Sequence, residues 1–498
     1  MSLNDAKATD NTYGGLLTTL SAKSTVVSSG MNDPVTPPIN KLPSEILATI
    51  MQIVTSYAPC CWRGEMPYTN NPALRYPDTL THVCSRWRQV AIHSRNLWSH
   101  VDIPIRDVSY SRVTTFLNRA GQSPLSLHLS DEHDKLTGGS LVSLIAPITS
   151  PIKSLELDKF PNGWIENYVS TLSICLATCT AGTLTEFVVR VGDQCLAQRH
   201  PRPTFIKARN HPGEIYLSGI FLRPIYIDLD LPQERLEAVL RDVTVLRLDR
   251  HYFQWSSSVY HGLVELRLLG RRGANTCISE SQLIDMLSCN PRLRILHFGL
   301  EIVDVAPLET TSASSEPIIL RELEVLNLDW LPTDGIEIFL RWLAPAPKLS
   351  QFSFRPFEDD ERFEHPATIA FLAGSSITTV HVVSSSLVAI TSLVKHCRHI
   401  QVLAIEDTYL NQTRQGVSYG LNTLYLINCT CELRALVQLI QPIASRLIVY
   451  DSEFCHRRRS PIPSDLVSAT LSNICVDAVI LADPSPNPIK GWELFWNE

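Results

Sequence analysis

The chain has 498 residues, of which 44% are hydrophobic and 19% charged, and its formal net charge is −7. This apolar content excludes a mainly disordered protein, and the acidic balance gives no general reason to expect nucleic-acid binding. No apolar run reaches the ~18 residues of a membrane-spanning helix, and the N-terminal stretch lacks the pattern of a secretory signal. We therefore expect a cytoplasmic or nuclear protein that has neither a membrane nor a nucleic acid as its partner.

Residues 1–38 are rich in Ser, Thr, Asn and Gly and show no sustained periodicity, which predicts a disordered N-terminal tail. The stretch LPSEILATIMQIV that follows indicates an amphipathic helix. Pro43 suits a first-turn position because it lacks an amide hydrogen, and Glu45 places negative charge at the start of the helix. One apolar face of this helix collects Ile46, Leu47, Ile50, Ile53 and Val54.

A polar, Pro-containing loop (56–79) separates this helix from TLTHVCSRWRQVA (79–91), which we interpret as a second amphipathic helix. Trp87 lies between Arg86 and Arg88, so it could pack in a core, stack on a nucleic-acid base or dock on another protein. The helical period favours core packing. The predicted apolar face comprises Leu80, Val83, Cys84, Trp87, Val90 and Ala91.

Beyond residue 105 a six-residue unit, apolar-x-x-apolar-x-apolar, recurs along the chain. From Val243 the successive copies are separated by 20, 30, 30, 26, 28, 23 and 21 residues. A random apolar chain would not keep producing this pattern at such intervals, so the chain contains internal repeats. The copies are IKSLEL from Ile152, LTEFVV from Leu184, VTVLRL from Val243, LVELRL from Leu263, LRILHF from Leu293, LEVLNL from Leu323, LSQFSF from Leu349, ITTVHV from Ile377, IQVLAI from Ile400 and LNTLYL from Leu421.

The segments between copies often have helical periodicity. SQLIDMLSCNPRLRILHF predicts a helix, an Asn-Pro break and a strand, and LVAITSLVKHCRHIQVLAI repeats that order. One strand and one helix cannot bury their apolar faces alone, but they can when such units stack. This plan resembles the leucine-rich repeat, which implies an α/β solenoid with parallel strands on the concave side and helices outside.

The predicted solenoid covers residues 105–482, with a poorly patterned insertion near 196–235, and a C-terminal tail (483–498) follows it. We expect the solenoid to be irregular. The Asn or Cys that usually follows each strand of a leucine-rich repeat, and ties successive repeats together, is matched only by Cys429. In the preceding copy Thr408 takes that position.

The two N-terminal helices and the segment after them resemble the F-box, a small helical module, across residues 39–104. The family pattern has Leu-Pro at the start, an apolar pair on the first helix, Val-Cys-x-x-Trp on the next helix and a later Leu-Trp. Proteins that combine this module with leucine-rich repeats are numerous in fungi, and the chain resembles them. The matching residues are Leu42, Pro43, Ile46, Leu47, Val83, Cys84, Trp87, Leu97 and Trp98.

The resemblance implies a substrate receptor of an SCF-type ubiquitin ligase. In such a receptor the F-box binds a Skp-type adaptor, and through it a cullin scaffold, while the repeats bind an unidentified target protein. The alternative is a leucine-rich-repeat interaction scaffold that does not bind the adaptor, and the loop at 56–79, which is longer than the family usually has, bears on that choice. The adaptor-binding residues that the resemblance implies are Leu42, Pro43, Ile46, Leu47, Ile50, Leu97 and Trp98.

Positions three and five of each predicted strand should face the concave side, because positions four and six point into the core. Arg247, Arg267 and His297 hold the fifth position in three successive copies, beside a third-position column that is partly apolar. We interpret this as a groove for an acidic or phosphorylated segment. The alternative is that Glu265, on the same face, neutralises the arginines. The candidate target-binding residues are Arg247, Arg267, His297, Asn327, His381 and Tyr425.

The sequence contains no motif of catalysis or metal binding. There is no nucleophile elbow, no phosphate-binding P-loop, no dinucleotide Gly fingerprint and no paired-histidine zinc motif, so we expect neither an enzyme nor a cofactor. HCRH (396–399) and CTC (429–431) lack the paired spacing of zinc ligands. We interpret their cysteines as buried structural thiols, as expected for a chain in a reducing compartment.

Overall fold

A computed structural model shows a mixed α/β architecture built on one large parallel sheet. Residues 1–37 and most of the loop at 56–79 lie outside the residues that it describes, so the predicted tail and loop are not placed. Among the described residues no helix is long and apolar enough to cross a bilayer. The described residues are 38–57, 77–104, 111–130, 145, 148, 151–158, 165–190, 204–211, 225–270, 276–305, 316–331, 333–356, 363, 365–385, 387–410, 420–434, 436, 444–455, 462–475, 477–481, 487–489 and 492.

The described residues form ten α-helices and four short 3-10 helices. The α-helices are α1 (Ser44–Tyr57), α2 (Ser85–His93), α3 (Ser111–Ala120), α4 (Ile165–Thr178), α5 (Gln233–Leu240), α6 (Glu280–Ser288), α7 (Thr333–Leu340), α8 (Pro366–Gly374), α9 (Leu387–His396) and α10 (Ser464–Ile474). The 3-10 helices are η1 (Pro38–Lys41), η2 (Asp78–His82), η3 (Arg95–Trp98) and η4 (Ser258–Tyr260).

Within the described part of the chain the large sheet has fourteen strands, each parallel to its neighbours, and the strands lie side by side in chain order. In that order they are β1 (His100–Pro104), β2 (Leu125–Ser130), β3 (Ile152–Asp158), β4 (Glu186–Val189), β7 (Val245–Asp249), β9 (Glu265–Leu269), β11 (Ile295–Gly299), β13 (Val325–Leu331), β14 (Gln351–Pro356), β15 (Thr379–Val383), β16 (Val402–Glu406), β18 (Leu421–Ile427), β20 (Ala444–Tyr450) and β22 (Asp477–Leu481).

All ten copies of the repeat pattern are strands of this sheet, as their spacing predicts. The fourth and sixth positions of each copy supply the core: in the copy from Leu263 these are Leu266 and Leu268, both fully buried. The predicted order of helix, turn and strand is confirmed for α6 with β11 and for α9 with β16. Four further strands that the pattern did not predict (β1, β2, β20 and β22) extend the sheet at its two ends.

Eight shorter strands form three small parallel sheets beside the large one. The predicted insertion near 196–235 is not without structure, since two of its segments pair with each other and one of the two also pairs with a strand from the next unit. The three sheets, in their spatial order, are β6 (Ile225–Leu229), β5 (Thr204–Ala208) and β8 (His251–Phe253); β10 (Cys277–Ser279) and β12 (Glu301–Val303); and β17 (Tyr409–Leu410), β19 (Thr430–Glu432) and β21 (Glu453–Cys455).

The turns after the strands of the large sheet recur with the same backbone conformation. In five units the residue directly after the strand has a positive φ, which Asn and Asp tolerate better than most residues and which turns the chain sharply. This local geometry redirects the chain toward the small sheets and the helices. The five residues and their φ values are Arg250 (58°), Ser384 (49°), Asp407 (50°), Asn428 (50°) and Asp451 (45°).

Hydrogen bonds from short side chains tie these turns together. The Thr408 hydroxyl accepts the Ser385 backbone N–H at 3.4 Å, and the Ser452 hydroxyl accepts the Cys429 backbone N–H at 2.9 Å. The Cys429 thiol in turn lies 3.3 Å from the Ile405 carbonyl, to which it donates. In the sequence, only Cys429 has the residue type expected at this linking position. In the structure, Thr408 and Ser452 occupy the same position in neighbouring units, and their hydroxyls make equivalent hydrogen bonds.

The segment at 79–91 is not the single helix that its periodicity predicts. The 3-10 helix η2 ends at His82 and α2 begins at Ser85, because Cys84 between them is extended (φ −158°, ψ 171°) and caps α2 with its sulfur near the Trp87 N–H. This break rotates Val83 out of the predicted apolar face, and its side chain is 58% exposed. Trp87 packs against the core, as predicted.

The N-terminal helices and the sheet share one core. A continuous cluster of buried apolar side chains runs from Leu47 in α1 to Cys475 after α10, and β1, which lies within 39–104, pairs with β2. The core lies between the sheet and the helices that connect its strands. The described parts of 39–104 (39–57 and 77–104) thus share the core of the sheet and are joined to it through β1.

Candidate functional site

The first helix presents an apolar face to solvent. Ile46 and Ile53 are each 50% exposed, Pro43 is exposed and Ile50 is half-buried, so one stripe at helical spacing points outward. Leu47, predicted on the same apolar face, lies at the edge of that face toward the core and is fully buried against the neighbouring helices. A soluble helix normally exposes its polar side, so this stripe has the arrangement of a surface made to contact another protein.

Exposed large apolar side chains are concentrated around this helix. Among the described residues seven such side chains are more than a third exposed, and four of them fall between residues 39 and 83. Singly scattered apolar residues need no explanation, but two exposed isoleucines on one helix face, as at Ile46 and Ile53, are typical of an interaction surface. The four are Ile39, Ile46, Ile53 and Val83; the other three are Ile319, Leu466 and Ile480.

Three residues predicted to contact the adaptor lie in the interior instead. Leu47, Leu97 and Trp98 are at most 4% exposed. The Trp98 indole N–H donates to the Ala91 carbonyl at 2.8 Å, and its ring meets Phe116 edge-on with centroids 5.0 Å apart. We therefore reassign these three residues to internal packing that supports α1. The exposed residues of the predicted set are Pro43 and Ile46, with Leu42 and Ile50 half-buried.

The arginines beside Trp87 make structural hydrogen bonds. The Arg86 guanidinium donates to the Leu42 carbonyl, and the Arg88 Nε–H donates to the Thr81 carbonyl at 2.9 Å. Both bonds fasten α2 to the start of α1 or to η2. The cationic groups thus hold the helices together, which argues against the nucleic-acid alternative for Trp87.

The second candidate site is the polar face of the large sheet, by which we mean the side that carries Arg247, Arg267, His297, His381 and Tyr425. These residues occupy equivalent positions of five strands, as the repeat spacing predicts. The register pairs Arg247 with Arg267 and Arg267 with His297 across neighbouring strands. The residues predicted to bind a target are therefore aligned on one face of the sheet, as the repeat pattern predicts.

Glu265 neutralises the two arginines of this face. The Arg247 guanidinium binds it through two hydrogen bonds of 2.6 and 3.0 Å, and Arg267 binds one of the same oxygens. Burial alone would raise the pKa of Glu265, but the hydrogen bonds and charges of Arg247 and Arg267 outweigh it and hold that pKa below its ordinary value. Of the two interpretations of these arginines, the geometry supports internal pairing, and an unpaired cationic groove is not formed.

His297 and Glu186 extend this network on either side. The Arg267 guanidinium lies 3.3 Å from the His297 Nδ1, and Arg247 is 3.8 Å from a Glu186 oxygen. His297 is only 1% exposed and Arg267 only 5%. Polar groups buried to this degree are held by partners rather than offered to a ligand, so these residues organise the sheet.

His381 forms a second hydrogen-bonded group with Ser353 and Glu406. The Ser353 hydroxyl is 3.0 Å from His381 Nδ1, and His381 Nε2 is 2.9 Å from a Glu406 oxygen. Burial lowers the pKa of His381 more than the Glu406 carboxylate raises it, so the ring is neutral near pH 7 and Nε2–H donates to Glu406.

The order of these three groups is that of a serine-based charge relay, yet the setting does not suit nucleophilic attack. Ser353 is 2% exposed and lies in the middle of a strand. The backbone N–H groups around it are committed to the sheet ladder, whereas an acyl-transfer site needs free donors for an oxyanion. The trio is explained by hydrogen bonding within the polar face.

A donor set that could hold a metal ion lies near the first strands. Asp102 Oδ1 is 3.1 Å from His100 Nε2 and 3.2 Å from His128 Nδ1, and the donor atoms lie within 4.8 Å of one another. Two imidazoles and a carboxylate are ligands that zinc accepts. As placed, Asp102 is hydrogen-bonded to both rings, which accounts for the cluster without an ion. Sequence reasoning missed it because His128 is 26 residues from Asp102 and meets it only through β-pairing.

The cysteines of HCRH and CTC are buried thiols. Burial raises the pKa of Cys397 to about 12 and that of Cys429 to about 11, and it raises the pKa of Cys431 well above its ordinary value. A zinc ligand must be a thiolate, so these environments oppose metal binding. Among the described residues no metal-type cluster includes a cysteine.

The remaining candidates lie toward the C-terminal part of the polar face. Asn327 and Tyr425 are half-buried, and Tyr425 meets Trp492 edge-to-face with ring centroids 5.5 Å apart. Ile489, three residues before Trp492, is fully buried on the same face. The predicted C-terminal tail (483–498) therefore contributes residues that cover part of the sheet, which no repeat or helix signal in the sequence indicated.

Comparisons with known proteins place the chain in no family. No protein-family model matches it, and no curated protein matches it. The proposal that follows rests on the motif residues found in sequence order within 39–104, on the repeat pattern and on the geometry described above.

Proposed function

We propose that the chain is a substrate receptor of an SCF-type ubiquitin ligase, with an F-box at 39–104 and a leucine-rich-repeat solenoid beyond it. The F-box binds a Skp-type adaptor and through it a cullin scaffold, and the polar face of the large sheet binds a target protein. The receptor performs no chemistry of its own; it holds target lysines near the ubiquitin carrier and so raises their local concentration. This assembly belongs in the cytoplasm or nucleus.

The exposed apolar stripe of α1 is the observation that carries the proposal. Ile46, Ile50 and Ile53 recur at helical spacing on the outward face, beside the exposed Pro43. Leu47 and Met51, on the adjoining side of the helix, are fully buried and anchor α1 in the core. An apolar helix face of this kind fits a groove in a partner, with the side chains at i, i+4 and i+7 as anchors.

The solenoid assignment is supported by the plan of the sheet. Fourteen parallel strands in chain order, with helices in the connections and with side-chain ties at Thr408, Cys429 and Ser452, are the arrangement expected of stacked leucine-rich repeats. Such a stack supplies one extended face to a target. On this face the paired arginines hold the sheet together, and contact with the target falls to the more exposed residues Asn327 and Tyr425 and the apolar area beside them.

The test of the proposal is complex formation with the adaptor. Co-expression of the full chain with a Skp-type adaptor should yield a complex of one copy each by size-exclusion chromatography with light scattering. Addition of the cullin scaffold should give a ternary complex. A monomeric, folded chain that binds neither would favour the leucine-rich-repeat scaffold that acts without a ligase.

A further inference from the structure

The C-terminal segment around Ile489 lies on the polar face of the large sheet. Ile489 is fully buried and packs with Ala404 of β16 and Ile427 of β18. Tyr425 and Tyr450 border the same cluster. An aliphatic side chain from outside the repeats thus fills an apolar depression between adjacent strands.

Trp492 extends this contact along the face. Its ring meets Tyr425 edge-to-face at 5.5 Å with an interplanar angle of 86°, a favoured geometry for aromatic pairs. It also packs against the cluster of Ile295 and Val325, which hold the third position of their repeats. Two members of the apolar third-position column, Ile295 and Val325, are therefore packed by a tryptophan of the same chain.

The segment has the form of a compact peptide ligand. The Asn487 side-chain oxygen accepts the Ile489 N–H, and the Ile489 carbonyl accepts the Trp492 N–H, both at 3.0 Å. This single turn places two side chains three positions apart in reach of the same surface. Local hydrogen bonds preorganise such a peptide and reduce the entropy it loses on binding.

The number of residues between β22 and Ile489 sets how far the segment can reach across the sheet. The last strand ends at Leu481, and the eight residues from there to Ile489 span up to about 26 Å when extended. From β22 across to β16 there are three strand spacings, about 14 Å in all. The number of residues after β22 is therefore sufficient to bring Ile489 over β16.

We propose that the part of the polar face lined by Val325, Ala404, Tyr425, Ile427 and Tyr450 is a peptide-binding site. Its ligand class is a short segment that presents an aliphatic and an aromatic side chain three residues apart, and residues 487–492 are a tethered copy of that ligand. The inference deepens the proposed function and rests on it for the identity of the natural competitor, a segment of the target protein. A target segment must then bind this site tightly enough to displace residues 487–492.

The experiment measures binding of a fluorescein-labelled peptide with the sequence of residues 485–498 to the full chain by fluorescence anisotropy. A ligand on a short tether acts at an effective concentration of about a millimolar, so the wild-type site is occupied and binds the free peptide weakly. The full-chain variant Ile489→Ala with Trp492→Ala should bind it with an apparent Kd lower by at least about tenfold. Leu466→Ala, which removes an exposed apolar side chain elsewhere, should behave as wild type.

Two further arms locate the site. Adding Tyr425→Ala to the double variant should abolish peptide binding, and a scrambled peptide should not bind. A folded double variant that fails to bind the peptide, or that binds it no better than wild type does, would overturn the proposal.

A second measurement covers the case in which the double variant does not fold. A protease site placed in residues 482–486 is cut after folding of the otherwise wild-type chain, and excess labelled peptide is added. Exchange of the cut segment for the labelled peptide supports a ligand, and its retention until the protein unfolds shows a purely structural segment. Adaptor binding is measured on the same samples, because its loss contradicts the proposed ligase role without bearing on the peptide site.

Discussion

Among single residues, Glu265 controls the charge balance of the polar face. Its carboxylate binds Arg247 and Arg267 together, and all three side chains are at least four-fifths buried. Buried charges of this kind are costly unless each has its partner, so the glutamate is more important for stability than a surface acid. The same pairing explains why the two arginines align on neighbouring strands without repelling each other.

Glu265→Gln should therefore destabilise the protein. The substitution keeps the size of the side chain but removes the carboxylate charge that Arg247 and Arg267 share, which should lower the free energy of unfolding by about 3 kcal/mol. Urea unfolding followed by tryptophan fluorescence measures this change. Glu301→Gln, at an exposed glutamate of β12, is the control and should stay within about 0.5 kcal/mol of wild type. Equal stability of the two variants would contradict the role of Glu265.

His251 should make stability depend on pH below neutrality. Burial lowers the pKa of this histidine from 6.5 to about 4, so the unfolded chain takes up the proton first as the pH falls. The stability that the neutral ring contributes is complete above pH 6.5 and is lost between about 6.5 and 4, by up to about 1.4 kcal/mol per pH unit. His381, whose pKa is also lowered by burial, adds to the same effect.

The measurement is the slope of the unfolding free energy against pH between 4 and 6.5. These limits are the pKa of His251 in the folded chain, about 4, and its ordinary value of 6.5. His251→Asn should reduce that slope, whereas His82→Asn, at an exposed position, should leave it as in wild type. The slope is compared, and not the unfolding free energy at one pH, because each substitution also changes stability at every pH. An unchanged slope in His251→Asn would show that this histidine titrates normally in the folded protein.

The thiols give a test of burial that does not depend on unfolding. Cys397 and Cys429 are buried with raised pKa values, whereas Cys289 is exposed. Thiolates react with iodoacetamide and thiols do not, so at pH 7 the native protein should be alkylated at Cys289 and protected at the other two. Peptide mass spectrometry before and after denaturation measures this. Native-state alkylation of Cys429 would contradict the assignment of a structural thiol.

Among the structural elements, the strands could be predicted from the sequence, whereas the hydrogen bonds that link successive turns could be predicted only in part. The strands were predictable because their apolar fourth and sixth positions recur. The linking side chains were only partly predictable: Cys429 matched the expected residue type, but Thr408 and Ser452 did not. A small hydroxyl makes the same bonds as a thiol, so a search for the geometry rather than for Asn or Cys would have found them.

Thr408→Val should remove one of these links. Valine has the same shape but leaves the Ser385 N–H without its acceptor, which should cost about 1 to 2 kcal/mol of unfolding free energy. Thr408→Ser keeps the hydroxyl and is the matched variant, with a smaller loss. The comparison is made by urea unfolding. If the valine variant were as stable as the serine variant, the hydroxyl would not link the turns.

The helices near the N-terminus show why periodicity alone did not place the interaction surface. Leu47, Leu97 and Trp98 match the expected pattern, yet all three are buried, and Val83 is exposed because Cys84 breaks the helix. Periodicity identifies an apolar face but not which neighbour covers it. That is decided by packing between α1, α2 and η3, which depends on contacts distant in sequence.

At the scale of the whole molecule, one sheet connects the two proposed binding surfaces. The outward stripe of α1 lies at the end where β1 begins the sheet, and the C-terminal segment covers strands beyond its middle. The order of these strands was predictable from the repeat spacing. The docking of Ile489 and Trp492 was not, because residues 483–498 carry no repeat and their position depends on the assembled face.

We propose that the exposed stripe of α1 binds a Skp-type adaptor, and the affinity of the chain for that adaptor tests this proposal. The affinity of the full chain for the purified adaptor is determined by isothermal titration for wild type and for Ile46→Asp with Ile53→Asp. Buried apolar anchors each contribute about 2 kcal/mol, so the double variant should bind at least about a hundredfold more weakly.

The matched control is Ile319→Asp with Leu466→Asp, which changes two side chains of similar exposure far from α1. It should bind the adaptor within about twofold of wild type, because exposed positions outside an interface contribute little to affinity. Thermal melts of both variants should match wild type, since all four side chains are exposed. A folded Ile46→Asp, Ile53→Asp variant that binds the adaptor as tightly as the control would contradict the account.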